Sequence, residues 1–220
     1  MKTLISATLL AIAAFPATAT ATDDMAHLDT VTVINDCKLQ TETVCPKADL
    51  QGADLSNMDL RSADFRGANL QGANLSHTNL RGANLDGANL DGATGYRLQL
   101  YRASIRGAKA RNATLPGLQG EYLFAQGADF SGSDLSGANF AFSRFSGATL
   151  IETRAPFSSF EIAWLPKANL QGADLTGSNL QEAKFGHANL AEARLSGARI
   201  HFATFEGTFM EGCTDCPHDW

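Results

Sequence analysis

The sequence predicts a solenoid, a chain wound into stacked rungs that share one core. Two observations carry this reading. From Leu50 to Met210 every fifth residue belongs to one series, Leu50, Leu55, Leu60, Phe65, Leu70 and onward to Ile200, Phe205 and Met210, in phase over 33 consecutive units. A small residue stands two places before the large one, as in Ala53, Ala63, Ala68 and Ala73. A period of five matches neither the 3.6 of an amphipathic helix nor the 2 of a simple strand, so neither element holds these leucines on one face. It suits a chain that turns a corner every five residues. Large and small residues then point inward and the other three outward, with Asp, Asn and Gly tolerating the corner geometry. Such rungs cannot bury their apolar side alone and must stack.

The elements follow in chain order. Residues 1–21, MKTLISATLLAIAAFPATATA, read as a secretory signal peptide, with Lys2 as the charged start, an apolar run from Leu4 to Phe15 and small Ala19 and Ala21 before the cut. The run is about a dozen residues against the roughly 20 of a spanning helix, so no membrane attachment is expected after cleavage. The expected destination is outside the cytoplasm, with a periplasm foremost and the exterior or a photosynthetic lumen as alternatives. Removing Lys2 leaves 16 basic and 23 acidic residues, a mature net charge of −7. That balance argues against a general binder of nucleic acid or anionic membrane. Residues 22–46 lack the repeat, carry the alternating run Thr30 to Ile34 and are expected to cap the exposed edge of the stack. Residues 47–212 are the repeats, and 213–220, CTDCPHDW, close the chain.

The units ADLQG, ANLQG, ANLDG and ADFSG resemble the A(D/N)LXX consensus of the pentapeptide repeat family. The resemblance implies an all-β fold, a right-handed quadrilateral parallel β-helix with four units, hence 20 residues, per coil. About eight coils would result, with the stack roughly 40 Å long at about 4.8 Å per strand. Two details fit a 20-residue coil. Leu118 precedes Gly120 and Leu123 precedes Ala125, so the small position grows where the large one shrinks and core volume is conserved. Asp134, Arg154, Asp174 and Arg194 would stack in alternating charge. Some cytoplasmic family members mimic DNA and bind type II topoisomerases; the signal peptide and the basic middle of this chain speak against that role here.

Four cysteines in an exported chain indicate two disulfides. With the ends about 40 Å apart, Cys37 cannot reach Cys213, because bridged Cα atoms lie within about 7 Å. Cys37 is expected to pair with Cys45, and Cys213 with Cys216. The CTDC tail also admits a thiol-redox pair, or a metal site with His218 whose remaining ligands would come from another chain.

Catalysis needs convergent groups in a concave site, and a four-sided stack offers convex faces. Asp49, Asp54, Asp59 and Asp64 fall on four different faces, the five histidines share no column, and no phosphate loop or nucleophile elbow occurs. The expectation is a non-enzymatic protein without cofactor. What remains is a lapse in the repeat after Ala93. Between Gly92 and Gly120 lie five bases (Arg97, Arg102, Arg106, Lys109, Arg111) and no acid. From Tyr96 to Trp164 outward positions hold aromatics. On a 20-residue coil Tyr122, Phe142 and Ile162 form one column, which Arg102 extends, and Phe124, Arg144 and Trp164 form its neighbour, with Arg144 between two rings. This composition is that of a binding surface for a second copy of the chain or an unknown protein partner, not for nucleic acid. The alternatives are packing among these side chains, or a loop between residues 91 and 126 that covers them.

Overall fold

The computed structural model describes residues 31–217. The expected signal peptide, the first part of the expected cap and His218 lie outside them.

The described unit is a four-sided parallel coil. Isolated parallel bridges join each residue of the Asp/Asn position to the one 20 residues later, from Val44↔Asp64 through Asp49↔Asn69 to Arg194↔Thr214. Three backbone hydrogen bonds recur per unit: Leu50 N–H to Asn69 O at 2.8 Å, Gly52 N–H to Gln71 O at 2.8 Å, and Asn69 N–H to Ala48 O at 2.9 Å. Each rung therefore satisfies its backbone on its neighbours, as buried strands must. The pairing continues without interruption from residue 91 to 126, so no loop covers the irregular patch.

Each corner is a β-turn closed by a bond such as Ala53 N–H to Leu50 O at 3.1 Å. Its third residue is left-handed throughout, from Lys47 (φ 59) and Gly52 (φ 64) to Gly212 (φ 69), the geometry of a type II turn. The Asp or Asn of the repeat has a local task. Its side-chain oxygen accepts from the backbone two residues on, as Asp54 does from Ser56 N–H at 3.1 Å and Asn89 from Asp91 N–H at 3.1 Å, which pins the entry to the turn.

The interior holds the large series and its small partners, all buried from Leu60 to Leu195 apart from the exchanges described next, while Met58 before it is partly buried. At Gly95 a side chain would meet Leu115 Cδ2 at 2.8 Å and Leu98 Cβ at 3.3 Å; at Gly120 it would meet Leu118 and Phe140, each at 2.9 Å. Leu98 thus fills the first gap as Leu118 fills the second. Some hydroxyls at the small position donate to carbonyls of the coil below, as in Thr78 to Leu55 O at 2.8 Å and Thr153 to Phe130 O at 2.9 Å. Ser158 donates within its own coil to Ala155 O at 2.7 Å, and Ser178 Oγ is buried without a partner among the described residues.

The ladder extends beyond the recognisable repeat at both ends. Val44 and Cys45 already pair with the next coil, the latter through Cys45 N–H to Asp64 O at 2.8 Å. Ahead of them stands a hairpin, β1 (Thr32–Ile34) antiparallel to β2 (Cys37–Leu39). Its loop, Asn35 and Asp36 at φ 46 and 64, is of the primed type that matches strand twist. Cys37 and Leu39 of β2 are buried against the core. Cys37 and Cys45 form a disulfide with Cα atoms 5.6 Å apart, and Cys213 and Cys216 form another at 5.7 Å.

Candidate functional site: an aromatic and basic face

The corners of the coil position the first column. Tyr122, Phe142 and Ile162 occupy the third turn residue on successive coils, at φ 59, 60 and 56, a position that holds Gly in half of the corners from residue 47 to 212. Tyr122 and Phe142 stack at 4.9 Å with their planes 7° apart. Tyr101 meets Tyr122 edge-on at 5.6 Å. Arg102 lies over Tyr101 at 5.2 Å and Tyr122 at 5.6 Å, and Arg81 over Tyr101 at 4.6 Å.

The flat of the face carries the second column. Phe124 bridges to Arg144, and Arg144 to Trp164. Arg144 does lie between the two ring-bearing rungs, but its guanidinium rests on one ring, Phe124 at 5.6 Å, whose other cation is Arg106 at 4.8 Å. Among the described residues Trp164 makes no cation–π contact. It is 53% exposed, with Phe142 43%, Tyr122 40% and Ile162 37% exposed beside it, while Phe124 is half-buried. Phe142, Ile162 and Trp164, together with Arg144 and Gln126, line a groove of about 480 Å³. Gln126 Oε1 is buried there with no donor.

Sequence reasoning brought Arg102, Tyr122, Phe142, Ile162, Phe124, Arg144 and Trp164 to one face, and they are together. It left out Tyr101, Arg81, Arg106 and Gln126. The same 20-residue spacing finds Arg81 beneath Tyr101 and Arg106 beneath Gln126, so the signal was present for both pairs. The orphaned oxygen had none, because its isolation depends on where every neighbouring donor is spent.

The basic middle is less basic in space than in sequence. Arg106 lies 3.6 Å from Asp86 and Arg111 pairs closely with Asp91, both one coil below. The Arg111 guanidinium holds the Asp91 carboxyl below its ordinary value. Arg97 and Arg102 have no carboxylate partner among the described residues. The alternating stack also forms, with Arg154 at 3.6 Å from Asp134 and Arg194 at 3.4 Å from Asp174. Among the described residues no three His, Cys, Asp or Glu side chains converge on a metal position.

A family model described as pentapeptide repeats matches in 8 copies, over residues 47–82, 73–117, 124–154, 158–190 and 178–214. The chain belongs to the pentapeptide repeat family. As such it is a right-handed quadrilateral β-helix, and pentapeptide repeat proteins are generally non-enzymatic structural or interaction proteins. Among solved structures it is similar to QnrB1, a plasmid-mediated fluoroquinolone resistance protein, in trypsin-treated form, at 19% identity and TM-score 0.61 over 73% of this chain and 88% of that one. It is also similar to HetL, a pentapeptide repeat protein involved in heterocyst differentiation regulation from the cyanobacterium Nostoc, at 29% identity and TM-score 0.41 over 77% and 88%. No curated protein matches this sequence.

Proposed function

We propose that this pentapeptide repeat protein is an exported, non-enzymatic interaction solenoid that presents the Tyr122, Phe142, Ile162 and Phe124, Arg144, Trp164 face to a protein partner or to a second copy of itself. The observation that carries the reading is the exposed column of large side chains at left-handed corners. Such corners favour Gly, and a β-branched residue there costs of order 1 kcal/mol or more. Residues other than Gly stand at half of the corners from residue 47 to 212, and among these Ile162 alone is β-branched, so it is there that the strain marks the column. The aromatic and arginine content is that of a binding hot spot. Export rests on the leading segment of the sequence.

The test is the light-scattering mass of residues 22–220 beside the Phe124→Ser, Trp164→Ser double variant. A wild-type dimer and a monomeric variant of similar melting temperature place self-association on this face. Two monomers with a variant that no longer retains a partner captured by the wild type place a foreign partner there. Equal behaviour in both assays, with a large loss of stability in the variant, sinks the reading in favour of local packing.

A further inference from the structure

Resting on the reading of this face as an interaction surface, we infer that its occupant is a second copy of the chain, docked antiparallel about a twofold axis that crosses the face between the rungs of Phe142 and Ile162. The order of side chains along the face carries the inference, because it is complementary to itself when reversed.

A twofold axis lying in the contact plane and across the coils reverses the order of the rungs and keeps each column opposite itself. Centred between Phe142 and Ile162, it sets these exposed apolar side chains against each other across the contact. In the neighbouring column Arg144 meets the second copy's Trp164, the exposed ring that, among the described residues, no cation of its own chain covers. One rung further out Phe124 faces Lys184, and Tyr122, whose hydroxyl can donate, faces the carboxylate of Glu182. At the ends Arg102 faces Phe202, which is 69% exposed at its own left-handed corner. Arg106, which rests against Phe124 at 4.8 Å, faces Glu206, five coils on in the same column and without a cation partner among the described residues. The acids that break up the positive charge of the face also find a place: Glu161 faces Ala141 on the rung of Arg144, and Glu121 faces Gln181 on the rung of Lys184. No like charges stand directly opposite from rung 101 to rung 206. Each pairing is made twice.

Other arrangements lack this match. An axis along the coils sets Arg144 on Arg144 and Lys184 on Lys184, and an antiparallel axis through the rung of Phe142 sets Arg144 on itself and Glu121 on Glu161. Through the rung of Ile162 it opposes Arg144 to Lys184 and Glu161 to itself. Moved one full rung back, the axis leaves Trp164 against Ser104 and Arg102 against Ile162; moved one forward, it puts Ile162 against Glu182 and carries Tyr122 and Phe124 past the end of the coil. Like charges across a contact are penalised, so they select the register. A foreign partner would impose no such self-complementarity, whereas an isologous contact requires it.

The experiment mixes two variants of residues 22–220. Arg106→Glu carries an acid at both end positions and Glu206→Arg a base at both, so each opposes like charges when it pairs with itself, while one of each restores both contacts. Within a chain the two positions lie about 24 Å apart, at about 4.8 Å per rung, too far to couple. The wild type should show the light-scattering mass of a dimer, each variant alone should dissociate at least about tenfold more readily, and the mixture should regain the dimer. Arg106→Gln, which loses the Asp86 contact without opposing Glu206, reports the effect of that contact alone. A second readout is independent of these variants: with Trp220→Phe, Trp164 is the single indole, and its emission should shift as the dimer is diluted apart. A mixture that stays monomeric, a dimer that both variants leave intact, or an emission unchanged through dissociation overturns this arrangement. A monomeric wild type overturns the inference; the interaction reading then survives only if Phe124→Ser, Trp164→Ser releases a foreign partner that the wild type retains, and falls with it if none is retained.

Discussion

Ile162 shows how the scale of a single residue constrains this fold. Its backbone sits at φ 56, a conformation that crowds a β-branched side chain, and the residue is still left 37% exposed. Ile162→Gly should therefore leave the melting temperature unchanged or higher, by up to about 1 kcal/mol of stability, while binding at the face falls. A clear destabilisation would mean that the column serves packing. The opposite lesson comes from Gly95, where the repeat consensus asks for Leu. Restoring it would drive a side chain into Leu115 and Leu98, whose atoms already stand 2.8 and 3.3 Å from the position of a Cβ. Gly95→Leu should cost about 1–3 kcal/mol or more in chemical denaturation, although it makes the sequence more regular. The departure at Gly95 is compensated, not decayed.

At the scale of elements, the corners and the caps have separate physical requirements. A corner needs a left-handed third residue and an Asp or Asn oxygen for the turn, which is why those residue types recur. The N-terminal cap needs something to hold a two-stranded hairpin that would be marginal alone. The Cys37–Cys45 bridge ties β2 to the first rung, next to buried Leu39. Replacing both cysteines with Ser should lower stability by about 2 kcal/mol on the loop-closure estimate. Proteolysis should then begin at residues 31–44 while the inner coils stay protected. Uniform loss of protection along the repeats would place the cap inside the cooperative unit.

At the scale of the whole molecule, neighbours are those 20 residues apart, and charge must be counted that way. Arg61, Arg66 and Arg111 hold Asp59, Asp64 and Asp91 below their ordinary carboxylate value of 3.8 by hydrogen bonding. A carboxyl depressed on folding contributes stability that is fully present above its unfolded value and is lost as pH falls through the folded one. The melting temperature should be flat from neutral pH to about 5 and decline below about 4. Arg111→Gln should lower the plateau slightly and make the acid decline shallower. An acid profile identical to wild type would show that the Asp91 pair contributes nothing in solution, as exposed pairs often do.

The five-residue phase, read alone, determined the solenoid and its inward series, and the resemblance of its units to pentapeptide repeats added the 20-residue coil and with it the columns of the aromatic face. These follow because a strictly periodic backbone turns sequence separation into spatial position, so Tyr122 and Phe142 are neighbours by arithmetic. Cys37 with Cys45 and Cys213 with Cys216 followed from the length of the stack. Only the tertiary structure decided the rest. That Arg144 rests on Phe124 and leaves Trp164 open depends on side-chain rotamers, which no period encodes. The hairpin ahead of the repeat depends on two non-glycine residues, Asn35 and Asp36, both adopting positive φ. The unmet oxygen of Gln126 depends on the allocation of every donor around it, a property of the packed whole and not of any stretch of chain.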